Sequence, residues 1–165
     1  FGSGPEIADR LRAEVQRETG LTISVGVSFN KIFAKLGSDY KKPERHHLIT
    51  PENFKTIVWP LPVTDLLFVG RAAGRTLEKF GVRTIGELAR FDREALYQLW
   101  AAGAQLHDYA NGLDRSPVAP AGEHAPPKSV GNGLTFPKNL QGREEIASGI
   151  AMLSDQVAAR LRRMV

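Results

Sequence analysis

The sequence contains no cysteine, and only 8% of its residues are aromatic. Without cysteine the chain can form neither disulfides nor thiolate metal sites, which favours a cytoplasmic protein. No apolar run approaches the roughly 20 residues that a membrane-spanning helix needs, and no signal-peptide pattern opens the chain. The opening residues 1–4, Phe-Gly-Ser-Gly, predict that the chain is an internal part of a longer protein. These absences argue against membrane-spanning and disulfide-stabilised secreted proteins.

The residues that are present are sufficient for folded domains. Of 165 residues, 42% are hydrophobic and 24% are charged, which is typical of one or two small globular domains. The net charge of +4 and the isoelectric point near 9.6 are compatible with a nucleic-acid partner. In a chain of this length the net charge is only weak evidence for a nucleic-acid partner, so the local arrangement of charged residues is more informative.

Residues 1–61 alternate between helix and strand. Apolar side chains recur about every four residues in the predicted helices and every second residue in the predicted strands. Gly20 is placed to end the first helix and Asn30 to cap the second. The predicted elements are a helix over 5–19, a strand over 21–28, a helix from 31 to about 41 that ends before Pro43, and a strand over 46–50. This pattern predicts an α/β layer that lacks partner strands.

The remainder of the chain differs from this layer. Short helices broken by glycines are predicted over 64–68, 72–80, 85–90, 93–100 and 105–111. They make residues 62–115 a small all-helical domain. Residues 116–127 contain four prolines and read as a linker. Beyond it, a strand over 128–134 and a helix over 144–164 predict a truncated α/β unit. The predicted fold class is therefore an α+β, multi-domain fragment.

A glycine-containing turn at residues 66–77 is the most informative local feature. An apolar short helix leads to Val69 and Gly70, and Gly74 follows as a new helix starts. This is the helix-hairpin-helix pattern, in which free N–H groups at a helix start face a DNA phosphate. Residues 71–83 hold three arginines and a lysine but one acid, so the turn has a positive rim. The alternative interpretation is a turn that needs glycine only for packing.

A second constellation is the lysine-bearing helix at residues 30–43. Lys31, Lys35, Ser38 and Lys42 recur at helical spacing, while Ile32, Phe33 and Leu36 supply the buried face. A lysine stripe beside a sheet edge can neutralise a triphosphate or a DNA strand. By itself such a stripe is more often an ordinary solvated helix face. His46 and His47 form no metal pair, because adjacent strand residues point to opposite faces.

Together these segments resemble a known family. Residues 24–31 (SVGVSFNK), 33–39 (FAKLGSD) and 41–43 (KKP) resemble the palm of Y-family (translesion) DNA polymerases, in the branch of the polymerase IV and UmuC-type proteins. Residues 62–63, 69–70 and 80–89 resemble the thumb of that family. Residues 128–131, 135–136 and 144–146 resemble the start of its little finger. The resemblance covers nearly the whole chain in the order of the family.

The resemblance implies a domain division and specific contacts. Residues 1–61 would be the C-terminal part of the palm, 62–115 a helix-hairpin-helix thumb, 116–127 a linker and 128–165 the start of the little finger. The implied contacts to the nucleotide triphosphate are Lys42, supported by Asp39, with Lys35 and Lys31 contributing charge. The implied contacts to DNA are Gly70, Arg71, Ala73, Gly74, Arg75, Lys128 and Ser129.

The resemblance also implies cofactors and partners. The family uses two magnesium ions, which clustered palm carboxylates hold. This chain has no acidic pair on a predicted strand, so we expect no catalytic residue, no bound metal and no activity from these 165 residues alone. Expected partners are primer–template DNA, an incoming dNTP and, in the intact protein, a sliding clamp, but no membrane.

Two other classes of protein remain open from the sequence. A non-enzymatic helix-hairpin-helix adaptor of a repair complex would bind duplex DNA without a triphosphate site. A structural protein would use the hairpin only for packing and would show no salt-sensitive affinity for DNA.

Overall fold

The computed structural model describes residues 2–42, 46–123 and 126–163. Within them the chain folds into eight α-helices, one 3₁₀ turn and two β-strands. It divides into two compact units, Phe1–Pro117 and Val118–Val165. The predicted α+β class is confirmed. Among the described residues, no helix is both long and apolar enough to cross a membrane.

The first unit begins with a β-α-β arrangement preceded by a helix. Its elements are α1 (Gly4–Thr19), β1 (Val25–Ser28), α2 (Lys31–Asp39) and β2 (His46–Ile49). The strands pair in parallel, with Val25 opposite His46 and Ser28 opposite Ile49. Parallel neighbours need a crossover, and α2 provides it. The predicted strand over 21–28 is observed only over Val25–Ser28, where it pairs with the four residues of β2.

Seven further elements complete the described structure. They are α3 (Phe54–Ile57), a 3₁₀ turn (Val63–Asp65), α4 (Arg71–Lys79), α5 (Ile85–Arg90), α6 (Arg93–Leu99), α7 (Gly103–Ala110) and α8 (Gly142–Arg162). The predicted helices at α4 to α7 are confirmed within about two residues at each end. The predicted helix over 64–68 is a 3₁₀ turn instead, and α3 was not predicted.

One hydrophobic core holds the elements of the first unit together. Its fully buried side chains come from both the sheet layer and the helical part, and include Phe33, Ile49, Leu66, Leu77 and Leu88. Three backbone hydrogen bonds link residues 59–63 to residues 83–86, each 2.8 to 3.0 Å long. These bonds fix the 3₁₀ turn against the start of α5.

The second unit corrects the sequence analysis. Residues 128–134, predicted as a strand, contain no regular secondary structure, so the unit is not α/β within its described residues. The segment includes Gly131, Asn132 and Gly133, which have low β-propensity, and no strand lies beside it to complete a ladder. Helix α8 forms as predicted, but Ile146, Ile150 and Leu161 on its apolar side remain 46%, 60% and 53% exposed.

Candidate functional site

Helix α2 is held rigidly by its cap and by its apolar face. The Asn30 side-chain oxygen accepts a hydrogen bond from the Phe33 backbone N–H at 2.8 Å, as predicted for a helix cap. Ile32, Phe33 and Leu36 are at most 4% exposed. Because this face is buried, the lysines on the other side of the helix are directed to solvent.

Two of these lysines share one carboxylate. Lys42 Nζ lies 2.6 Å from Asp39 Oδ1, and Lys35 Nζ pairs with Asp39 Oδ2. We call Lys35, Asp39 and Lys42 the lysine cluster. All three side chains are about half exposed. The two lysines lower the pKa of Asp39, Lys35 having the larger effect, so the carboxylate is ionised at neutral pH.

A polar cleft lies beside the lysine cluster. Its volume is about 380 Å³, and Thr22, Ile23, Ser24 and Ser38 line it together with the three residues of the cluster. Ammonium groups and hydroxyls are the donors that a phosphate requires. Sequence reasoning had singled out the lysines but missed Thr22 and Ser24, whose only signal was their alternation with apolar residues ahead of the strand.

Lys31 is separated from the lysine cluster. Its Nζ donates a hydrogen bond to the backbone carbonyl of Pro117. Burial opposes ionisation of the nearby Asp114, but hydrogen bonds from Ser116 and from the Lys31 backbone N–H outweigh it and lower the pKa of Asp114. The structure therefore brings together Lys35, Asp39 and Lys42 of the predicted triphosphate contacts and places Lys31 against residues 114–117.

The second candidate region is the start of α4. Gly70 caps this helix with φ −77° and ψ 175°, and no side chain among the described residues hydrogen-bonds to the free N–H groups there. A Cβ placed at Gly70 would meet no atom within 4 Å. The buried side chains of Leu66 and Val69, 1% and 5% exposed, anchor the turn that precedes the helix. The helix start is thus fixed in place and open to solvent.

Two arginines of α4 and one that follows the helix line a cleft along it. We call Arg71, Arg75 and Arg83 the arginine rim. All three line a cleft of about 480 Å³, together with Val63, Thr64, Gly74, Glu78 and Val82. Arg83 Nε lies 3.8 Å from Glu78 Oε1, whereas in the described part of the chain neither Arg71 nor Arg75 has an ion-pair partner.

The other predicted DNA contacts have different surroundings. Gly74 is buried, and a Cβ there would lie 2.7 Å from Thr64 Cγ2, so this glycine allows α4 to pack on the 3₁₀ turn. Ala73 is half-buried. Lys128 and Ser129 are exposed residues of the second unit, outside any strand.

Sequence reasoning missed one residue of the turn that precedes α4. Phe68 adopts a left-handed backbone conformation with φ 74°, and its residue surface is 68% exposed. The sequence carries no signal for this conformation, because phenylalanine there reads as one more apolar residue of the turn.

The carboxylates of the described residues do not form a metal site. No group of three His, Asp or Glu side chains suited to a metal ion occurs among them. Several acids are instead paired with cations: Asp108, for example, accepts two hydrogen bonds from Arg93 at 2.8 and 2.9 Å, which lower its pKa. The side chains of the described residues therefore do not fit a two-magnesium centre.

Comparison with known proteins gives consistent matches along the chain. The impB/mucB/samB family matches residues 1–39, and the impB/mucB/samB family C-terminal domain matches residues 127–164. A DNA polymerase IV of Acetivibrio thermocellus is 47% identical over 163 residues, covering 98% of this chain and 41% of that protein. A DNA polymerase IV of Alkalilimnicola ehrlichii is 40% identical, covering 98% of this chain and 45% of that protein.

These relatives are longer than the chain, which spans less than half of their length. The two family models match in the order expected from the sequence motifs, and the similarity to the relatives runs through the region between them. Over 98% of its length the chain is therefore similar to proteins named DNA polymerase IV, and its two ends match the impB/mucB/samB family and the C-terminal domain of that family.

Proposed function

We propose that this chain holds primer–template DNA and the incoming nucleotide within an error-prone translesion DNA polymerase that acts in DNA repair and damage tolerance. The observation that carries the proposal is the arginine rim, which lines an open cleft along α4; the first N–H groups of this helix have no side-chain partner among the described residues. The names of the relatives support the polymerase class over the helix-hairpin-helix adaptor.

The domain division of the family can be applied to the chain. We assign residues 1–61 to the palm, 62–115 to a helix-hairpin-helix thumb, 116–127 to a linker and 128–165 to the start of the little finger. Two observations support this division. The boundary between the two compact units, Pro117 to Val118, falls inside the assigned linker, and the C-terminal family model starts at residue 127.

The start of α4 would bind DNA phosphates. Arg71 and Arg75 are exposed and lack ion-pair partners among the described residues, so they have charge to offer to a phosphate. Gly70 leaves room for a close approach of the DNA backbone to the free N–H groups. Ala73 and Gly74 act by letting the helix pack, and Lys128 and Ser129 would add contacts from the second unit.

The lysine cluster would bind the triphosphate of the incoming dNTP. Lys35 and Lys42 supply two positive charges beside a cleft that also carries hydroxyl groups. Asp39 pairs with both ammonium groups in the absence of a nucleotide, so the triphosphate would replace part of that pairing. Lys31 stands apart from this cleft, and we assign it no triphosphate contact.

The chain alone should not incorporate nucleotides. Phosphoryl transfer in this family requires two magnesium ions, and the carboxylates of the described residues do not fit such a site. We derive no catalytic step from these residues. In the intact polymerase, magnesium, a sliding clamp and a cytoplasmic location remain expectations from the family.

DNA binding by the chain can be measured by fluorescence anisotropy with a labelled primer–template duplex over a series of salt concentrations. We expect sequence-independent binding, with log K falling against log salt at a slope of roughly two to five phosphate contacts. The double variant Arg71→Ala/Arg75→Ala should flatten that slope by about one to two units.

A matched control removes the same charge from another surface. Arg10→Ala/Arg17→Ala on α1 should leave most of the slope intact. An equal loss in both double variants would mean that only net charge matters, and folded chain that does not bind DNA at low salt would refute the proposal. Protection of Lys42 by dATP from an amine-reactive reagent would further favour the polymerase over the adaptor, which has no use for a triphosphate.

A further inference from the structure

We propose that Phe68 is an apolar contact for the DNA strand whose phosphates the arginine rim binds. The inference rests on the proposed function and extends it, because it adds a residue that recognises the sugar or base of the nucleotide and not its charge. The residue is identified by two unfavourable features that occur together at the tip of the hairpin.

The first feature is the backbone of Phe68. At φ 74° the residue occupies the left-handed region, where the Cβ of any L-amino acid other than glycine is strained. In this structure Phe68 and Lys41 are the residues other than glycine with positive φ among those described. Strain of this kind persists where the surrounding structure enforces it, and it is a reason to look for a function.

The second feature is the exposure of an aromatic side chain. Phe68 is 68% exposed, whereas its neighbours Leu66 and Val69 are buried. The Val69 N–H donates to the Leu66 carbonyl at 3.0 Å, so the chain turns tightly around Phe68. The ring lies beside the half-buried ring of Tyr109, with centroids 6.0 Å apart and planes 34° from parallel. The turn and Tyr109 together hold an apolar ring outward in a defined orientation.

The charge around this ring favours DNA as its partner. Phe68 precedes Arg71 by three residues, so their Cα atoms lie at most about 11 Å apart. A strand whose phosphate contacts Arg71 would bring a sugar or a base within reach of the ring. Aromatic side chains beside cationic grooves stack on bases without regard to sequence, since every base has a π-face. An apolar protein partner would instead leave the unpaired arginines beside it without a counter-ion.

Two substitutions distinguish the effect of the aromatic ring from the effect of the backbone strain at Phe68. Phe68→Ala removes the ring and keeps a Cβ at positive φ, whereas Phe68→Gly removes both. Each should weaken primer–template binding by the full 165-residue chain roughly fivefold at every salt concentration. The salt slope should stay that of the parent chain, because no charge is lost. Phe68→Gly should melt at a higher temperature than Phe68→Ala, since glycine adopts positive φ without strain.

Tyr97→Ala is the matched control, because Tyr97 is another exposed aromatic residue, at 53%, on α6. It should leave DNA affinity unchanged. If neither Phe68 variant weakens binding while Arg71→Ala/Arg75→Ala flattens the slope, the inference is overturned and the proposed function stands. Equal weakening by Tyr97→Ala, or weakening by Phe68→Gly alone, would also overturn it, since the ring would not be the cause. A parent chain that does not bind DNA would overturn both.

Discussion

The arginine rim and the lysine cluster are both cationic, but they differ in how their charge is balanced. In the lysine cluster, Asp39 already pairs with both Lys35 and Lys42. In the arginine rim, Arg71 and Arg75 have no ion-pair partner among the described residues. An anion from outside can therefore bind the rim directly, whereas at the lysine cluster it must compete with an internal carboxylate. Under the proposed function, the lysine cluster suits a nucleotide that is exchanged in each round of synthesis. The arginine rim suits a DNA strand that stays bound.

The two regions also use glycine for opposite purposes. A Cβ at Gly26 in β1 would lie 1.8 Å from the Ala34 carbonyl oxygen of α2, so this glycine allows strand and helix backbones to touch. A Cβ at Gly70 would meet nothing within 4 Å, and its φ of −77° suits any residue. Gly26 is thus required by the fold, whereas no contact among the described residues requires a glycine at position 70.

The largest effect that we predict follows from this difference. Gly26→Ala should destabilise the first unit by about 3 kcal/mol or more, because the clash is with backbone atoms that cannot rotate away. The melting temperature should fall by roughly 10 °C, measured by circular dichroism. Gly70→Ala should be neutral or stabilise slightly, by about 0.5 kcal/mol, through lower entropy of the unfolded chain.

Gly70→Ala also tests the rim. If the DNA backbone approaches Gly70 closely, the added methyl group should weaken DNA binding even though the chain is as stable as the parent. If Gly70→Ala lowered the melting temperature as much as Gly26→Ala does, the fold would require both glycines, and the predicted difference between them would be wrong.

Local sequence patterns predicted most elements of the first unit because their signals are local. The spacing of apolar residues and the Asn30 cap predicted α2, and the cap forms as expected, with the Asn30 side chain accepting a hydrogen bond from the Phe33 N–H. The strand over 128–134 was wrong for the converse reason. A strand depends on a partner elsewhere in the chain, and a short segment carries no information about that partner.

In the candidate sites, too, sequence predicted the local arrangement but not the contacts with distant residues. Helical spacing grouped Lys35 with Lys42, and the family resemblance added Asp39; the three side chains lie together. Spacing also grouped Lys31 with them, but its ammonium contacts Pro117, 86 residues away in sequence. The backbone strain at Phe68 was equally out of reach, since φ follows from how the turn packs between Leu66 and Val69 and not from residue type.

A smaller effect is expected from Asp39→Asn, which removes the internal competitor. Triphosphate affinity at neutral pH should rise by roughly two- to fivefold, the range expected for an exposed ion pair, and calorimetric titration with dATP would measure it. Lys35→Met is the matched control and should lower the affinity. A lower affinity of Asp39→Asn would mean that orienting the two lysines outweighs competing with the phosphate.

The ion pairs of Asp39 with Lys35 and Lys42 should also make the stability of the folded chain depend on pH, in a direction that can be predicted. The pKa of Asp39 is lowered in the folded chain, so its ion pairs contribute stability above the ordinary pKa of 3.8. That contribution is lost as pH falls below 3.8 and through the lowered folded-state pKa. A titration of the Asp39 carboxyl carbon by NMR should therefore have its midpoint below 3.8, and a midpoint above that value would mean that the lysines do not hold the carboxylate in solution.

The smallest effect is expected at Lys31. Its substitution tests whether a lysine on α2 contributes to triphosphate binding through its charge alone or only when it lines the cleft of the lysine cluster. Lys31→Met keeps the aliphatic stem and removes the ammonium that contacts the Pro117 carbonyl. Triphosphate affinity should stay within about twofold of the parent, because Lys31 lies outside the cleft of the lysine cluster. Amide hydrogen exchange at residues 112–116 should rise, since one anchor of that segment is lost while the hydrogen bond from Asn30 Nδ2 to the Gly112 carbonyl, 3.0 Å long, remains. If Lys31→Met instead lowers triphosphate affinity as much as Lys35→Met does, the helix face acts as one continuous charged stripe, and the distinction drawn from the Pro117 contact does not hold in solution.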